Sequence, residues 1–244
     1  MKRSTTFFLL RVFVAATAAL MVSIGADAQY LKRDWSNEVS FGGSWTPGDH
    51  FGIEFSYFWF PLHYVGIGAY AQMGATSKSS NVPTGVIPAS SEYYGTYNVW
   101  ILMEEHQKVT NLSLVPSVLL ATPDLNIGAV ALSLRLIPGI GLTVPRERVE
   151  VEYRMANPKV DVEYSNFKYQ KYWLKGPQWW YWSGRAAINV NIDELGFGIG
   201  YRMSNQDIWA TRRTGKIEGT SFDTFYPSGK KLYHSFYLYV AWKF

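Results

Sequence analysis

The residues of this chain best placed to do chemistry are charged side chains set among apolar ones. Glu38, Glu54, Arg135, Arg185 and Arg202 each stand in a segment where alternate residues are bulky and apolar. In a β-strand that spacing puts them on the face opposite the apolar set. Charges on an enclosed face must be paired, since breaking a buried pair is strongly destabilising. Two acids and three bases in such positions predict an internal salt-bridge network rather than a reactive centre.

The familiar reactive sets are absent or scattered. The chain has no cysteine, which excludes thiolate nucleophiles, thiolate metal sites and a disulfide scaffold. His50, His63, His106 and His234 fall in a turn, a tight connection, a loop and a strand start, and no pair has metal-ligand spacing. Glu104-Glu105-His106 and His234-Ser235 have the residue types of catalytic fragments. Adjacent residues of a strand, however, point to opposite faces. Gly196, Gly198 and Gly200 at strict period two read as the inner wall of a curved sheet, not as a nucleotide loop. No cofactor and no metal is expected.

The elements that must position these residues begin after a leader. Lys2, Arg3 and Arg11 precede an uncharged run, Val12 to Gly25, followed by Ala26-Asp27-Ala28. That layout predicts a signal peptide over residues 1–28, with the mature chain over 29–244. The apolar run is shorter than the roughly 18 residues a spanning helix needs. Setting the leader aside lowers the formal charge from +4 to +2, so the chain lacks the basic stripe that nucleic-acid binding requires. Aromatic and charged residues each make up 17%, and no later segment is long and apolar enough for a membrane helix. Rich aromatics with few charges fit a membrane β-barrel best.

Eight segments alternate with period two, at about the ten-residue length that crosses a bilayer as a tilted strand. They are Asn37 to Thr46, Phe51 to Phe60, Tyr64 to Met73, Thr110 to Ala121, Ile127 to about Ile137, Tyr181 to Ile192, Leu195 to Ser204 and Tyr233 to Phe244. Pro47-Gly48-Asp49, Pro61-Leu62-His63, Pro123-Asp124-Leu125-Asn126 and Asp193-Glu194 are turns. Long connections run over about 74–109, 138–180 and 205–232. Within the second, Val149-Glu150-Val151-Glu152-Tyr153 is echoed by Val160-Asp161-Val162-Glu163-Tyr164 around Asn157-Pro158, which predicts a charged hairpin.

The face opposite the bulky residues is mostly Gly, Ala, Ser and Asn, too bare for a solvated exterior. It fits the inside of a narrow eight-stranded barrel, where room is scarce. The apolar face then meets lipid, and closure satisfies the backbone as hydrocarbon demands. Gly43-Ser44-Trp45 matches the Gly-x-Trp tripeptide of lipocalins, but this orientation opposes that reading. Trp179, Trp180 and Trp182, beside Tyr172 and Trp173, have the makings of a carbohydrate platform. With Trp45 and Trp59 they are better read as an interfacial aromatic belt. Three of the four odd connections are long and the even ones tight, the asymmetry of outer-membrane barrels.

Phe236, Leu238, Val240, Trp242 and Phe244 alternate up to a terminal Phe. On this strand, the leader and the loop asymmetry, the mature chain resembles the eight-stranded outer-membrane barrels, OmpA-like and OmpX-like, in the variety common in Bacteroidota. The resemblance implies an all-β, eight-stranded antiparallel up-and-down transmembrane barrel. It implies a last strand read by the barrel-assembly machinery, and contact with outer-membrane lipid and lipopolysaccharide. The expected role is structural or interactive, with the long loops binding a protein or surface component, secretion-system association included. The alternative is a small-solute channel or a lipid-modifying outer-membrane enzyme.

Overall fold

The computed structural model describes residues 35–76, 84–87, 99–103, 109–155, 167–217, 219–221, 226 and 228–244. The leader expected over 1–28 lies outside these residues, as do Glu104, Glu105 and His106.

Eight long strands form the body: β1 (Asn37–Thr46), β2 (His50–Leu62), β3 (Val65–Thr76), β6 (Thr110–Ala121), β8 (Val130–Thr143), β11 (Trp180–Ile192), β12 (Leu195–Ser204) and β15 (Tyr233–Lys243). Each pairs antiparallel with two neighbours. β15 returns to β1 with Trp45 opposite Phe236, and β8 joins β11, so the ring closes without an edge. Alternation drives this arrangement. In β2 every second residue from His50 to Phe60 is buried and those between are exposed. Such a period-two pattern lets one face of a pleated strand leave the solvent whole.

Three turns bring the even-numbered connections round at one end, where the described chain also begins and finishes. Ile192 pairs with Leu195 across Asp193-Glu194, and Asp193 takes a positive φ of 51°. Left-handed backbone is what a two-residue hairpin demands, and Asp tolerates it. The β2–β3 turn falls at His63-Tyr64, and a bulge precedes it.

The next turn differs from the expected one at Pro123 to Asn126. Leu125–Ile127 forms a short strand, β7, that pairs back on Val130–Leu132, and the reversal occurs at Gly128, whose φ is +65°. Past Ile137, β8 also continues through Pro138 to Thr143, residues expected in a loop. Proline lacks the N–H of a ladder, yet Pro138 holds its register opposite Gly184 and faces outward.

At the opposite end the long connections carry structure of their own. The first contains β4 (Thr84–Ile87) and β5 (Val99–Met103), the second β9 (Arg146–Met155) and β10 (Phe167–Lys175). These pair in the order β10-β9-β5-β4, so two loops far apart in sequence share one sheet. The expected partner of Val149–Tyr153 was the echo at Val160–Tyr164. Instead Val149 faces Tyr172 and Tyr153 faces Lys168, while the echo segment lies outside the described residues. The third loop holds a five-residue helix, α1 (Ala210–Thr214), then the two-residue strands β13 (Lys216–Ile217) and β14 (Thr220–Ser221).

Candidate functional site

Two places gather polar side chains: the bore of the barrel and the loops that cover one end. In the bore, all five charged residues singled out in the sequence are buried. They fall into two layers.

In the first, Arg135 grips Glu38 with both terminal nitrogens, at 2.6 and 2.8 Å, the planar fork matching the carboxylate. Arg135 also donates to the Tyr239 hydroxyl at 3.3 Å, which donates in turn to Asn189 at 2.9 Å. Asn189 and Lys243 both donate to Asn191 Oδ1, and the Lys243 ammonium lies 4.6 Å from the Trp35 ring centre. Beside this layer an apolar cluster of Phe58, Phe60, Leu119, Ala121 and Ile137 packs with Trp35.

The second layer turns on Glu54. Arg185 and Arg202 stand directly opposite each other on β11 and β12, a like-charge pairing that is unfavourable by itself. Glu54 reaches across the bore between them, accepting from Arg185 at 2.6 Å and Arg202 at 3.0 Å. Arg202 further donates to Gln72 and to Ser235. The Arg185 guanidinium lies 3.4 Å from the centre of the Tyr70 ring and 4.8 Å from that of Tyr237, close enough for cation–π attraction. A cavity of only about 20 Å³, lined by Glu38, Glu54, Arg135, Arg185, Tyr237 and Tyr239 among others, lies between the layers.

The lining expected from sequence was small and polar. The structure adds bulk: Tyr70, Tyr181, Tyr237 and Tyr239 are all buried in the bore. Tyr181, Tyr237 and Tyr239 fit because glycines face them. A Cβ at Gly198 would lie 2.1 Å from the Tyr239 ring, and one at Gly141 2.2 Å from that of Tyr181. The glycines are therefore sockets for tyrosine rings as much as a taper. Alternation places Gln72 and Asn189 on the inner face without marking them as network members. It also reaches Tyr237, Tyr239 and Lys243, which alternate with Phe236 to Phe244 on the final strand but were not singled out.

Outside, the polarity reverses. Phe41, Ile199 and Leu238 are 63, 65 and 64% exposed, and similar residues project from all eight strands. Phe236, Leu238, Val240, Trp242 and Phe244 form one outward row. Trp45, Trp180 and Trp182 project near the loop end, with Trp179 just before β11, while Trp59 projects near the turns. Trp45 packs against Phe51 and Phe236, and Tyr201 joins them through Phe236.

A polar relay climbs from the bore into the loops. Ser235 meets Thr46 at 2.6 Å, Thr46 meets His50 at 3.2 Å, and Trp209 Nε1 donates to Asp49 at 2.9 Å. Burial pushes the Asp49 carboxyl up, but the neighbouring His50 ring 3.8 Å away, the hydrogen bond from Trp209 and the charge of Lys230 outweigh it. The net effect holds Asp49 below its ordinary 3.8. On α1, Arg212 is buried and donates through Nε to Glu147 of β9 at 2.7 Å. Among the described residues, no three His, Cys, Asp or Glu side chains converge as a metal site.

The fold is thus a closed eight-stranded antiparallel barrel with charges paired inside and large apolar side chains outside. No family model and no curated protein matches the chain. Among solved structures it is similar to the N-terminal β-barrel domain of Pseudomonas aeruginosa OprF, with TM-score 0.32 and 11% identity over 86% of this chain and 97% of that one. It is similar also to Neisserial surface protein A, with TM-score 0.33 and 8% identity over 86% and 95%. A third is Ail, the attachment invasion locus protein of Yersinia pestis, solved with the heparin analogue sucrose octasulfate. Its TM-score is 0.31 and its identity 8%, over 85% and 96%. Likenesses at this level carry no argument of their own, and the strand pairing defines the fold.

Proposed function

We propose that the chain is an integral outer-membrane barrel whose role is structural or interactive, exercised through the loops at the β4–β5 and β9–β10 end. One observation carries this reading: the barrel is apolar outside and charged within. A soluble barrel needs the reverse, and so wide an apolar surface is a liability unless lipid covers it. Phe236 on β15 and Phe244 just past its end, eight positions apart, are separated by about 26 Å along the strand direction at roughly 3.3 Å per residue. After tilting, that length suits a hydrocarbon band flanked by aromatic belts, the part assigned to Trp45, Trp59, Trp179, Trp180 and Trp182.

The Glu38–Arg135 and Glu54–Arg185–Arg202 layers fill the bore, which supports a structural network over a solute path. On this reading the loop end faces outward, and lipopolysaccharide, the assembly machinery and a surface partner are its contacts. The test is alkaline extraction of membranes, followed by electrophoresis of unboiled and boiled samples. Retention in the membrane and a heat-dependent mobility shift are expected; release into buffer overturns the proposal. Single-channel steps in planar bilayers would instead favour the channel reading. Altered lipid A mass spectra in a deletion strain would favour the enzyme.

A further inference from the structure

At the loop end a cleft opens between the start of β6, the corner from β8 to β9, and the segment that runs into α1. Its cavity is small, about 30 Å³, and opens to solvent at its mouth, so it admits the edge of a ligand and not a whole ring. Three of its lining residues, Asn111, Glu147 and Gln206, present buried polar atoms that have no protein partner. Gln206 is 2% exposed, and neither its Oε1 nor its Nε2 is hydrogen-bonded. Glu147 gives Oε1 to Arg212 and leaves Oε2 unpaired, and Asn111 leaves Oδ1 unpaired.

This arrangement is held firmly. Gln178 donates to the carbonyl of Asn205 and accepts from the N–H of Asp207, both at 2.7 Å. The backbone on either side of Gln206 is thereby fixed. Asp207 is occupied elsewhere, accepting from the N–H of Trp209 and from Arg213. Gly176 lets α1 come close, since a Cβ there would lie 2.3 Å from Thr211 Oγ1. Buried polar groups are ordinarily satisfied, and unsatisfied ones cost stability. Leaving Gln206 idle in a clamped segment needs a reason, and a ligand supplies one.

The unpaired set is three acceptor oxygens and one N–H₂ donor. An ammonium ligand only donates, and leaves Gln206 Nε2 unmet. A phosphate or carboxylate only accepts, and would face the oxygens of Glu147 and Asn111. A hydroxyl does both. We infer that the cleft binds the hydroxyl-bearing edge of a neutral sugar, with Gln206 pairing one hydroxyl through both amide atoms. Glu147 Oε2 and Asn111 Oδ1 accept from its neighbours. The binding does not depend on which side of a membrane this end faces.

The test uses the full chain in dodecylphosphocholine micelles, which carry no sugar headgroup. Methyl glycosides of glucose, galactose and mannose are titrated in and followed by saturation-transfer NMR and calorimetry. Saturable binding of at least one neutral glycoside is expected. It should weaken by about tenfold or more in Gln206→Met, and likewise in Asn111→Leu, as the loss of a buried hydrogen bond implies. Each variant is scored only with the wild-type mobility shift, so either one that folds suffices. No saturable binding of any of the three glycosides overturns the inference, because the cleft then holds water alone. So does binding that is unchanged in a folded variant. Tighter binding of inorganic phosphate or methylammonium, weakened by Gln206→Met, also overturns it.

Discussion

Replacing Glu54 by Gln removes one negative charge from between two buried arginines and changes almost no volume. Arg185 and Arg202 are cross-strand neighbours on β11 and β12, and Glu54 is the acid that bonds both. Breaking one partner out of a buried ion pair typically costs about 3–5 kcal/mol. Here two guanidiniums lose their counter-charge and are left facing each other, so the upper part of that range, on the order of 5 kcal/mol, is expected. The assay is guanidinium unfolding of the protein in lipid vesicles, scored by the electrophoretic mobility of unboiled samples. Glu54→Gln combined with Arg202→Met should recover part of the loss, since Arg185 then no longer faces a second cation. A Glu54→Gln protein within about 0.5 kcal/mol of wild type, the range of ordinary surface changes, would refute the reasoning.

Three further outcomes are expected. Gly198→Val drives a branched side chain into the Tyr239 ring, and should destabilise by about 1–3 kcal/mol in the same assay. Phe244→Ser removes the last residue of the outward row on β15 and should lower the yield of folded, membrane-inserted protein in cells; an unchanged yield would count against that row as an assembly signal. The third concerns pH. Asp49 is held below 3.8, so its contribution is present above that value and is lost as the pH falls through its folded-state value. Acidification to well below pH 3.8 should therefore free the third loop from the β1–β2 turn and speed its proteolysis, and Asp49→Asn should abolish that pH dependence.

Much of the barrel was legible because one physical rule sets it. The ends of β1, β6 and β12 follow directly from alternation between bulky and small residues. The same rule put Glu38, Glu54, Arg135, Arg185 and Arg202 on one face, although their partners required coordinates. What it could not reach was non-local. Pro138 reads as a stop from its chemistry, yet its neighbours in β8 carry it through opposite Gly184. The repeated Val-acid-Val-Glu-Tyr segments suggested the nearer pairing, whereas the register that forms sets Tyr172 against Val149. The cleft at Gln206 left no trace in pattern, since α1 spans only five residues and shows no periodicity. Buried Arg212 looks like an ordinary surface base in sequence, and its ion pair with Glu147 on another loop becomes visible only in the fold.

The pairing of β5 with β9 has a consequence for how this end of the molecule can change over generations. Strand Val99–Met103 borrows its hydrogen-bond partners from a connection some fifty residues downstream, from Met155 back to Val151. Neither loop can therefore be lengthened, shortened or swapped at the paired positions without unzipping the other. Sequence variation at this end would have to move both together, or else concentrate in the stretches beyond the ladder.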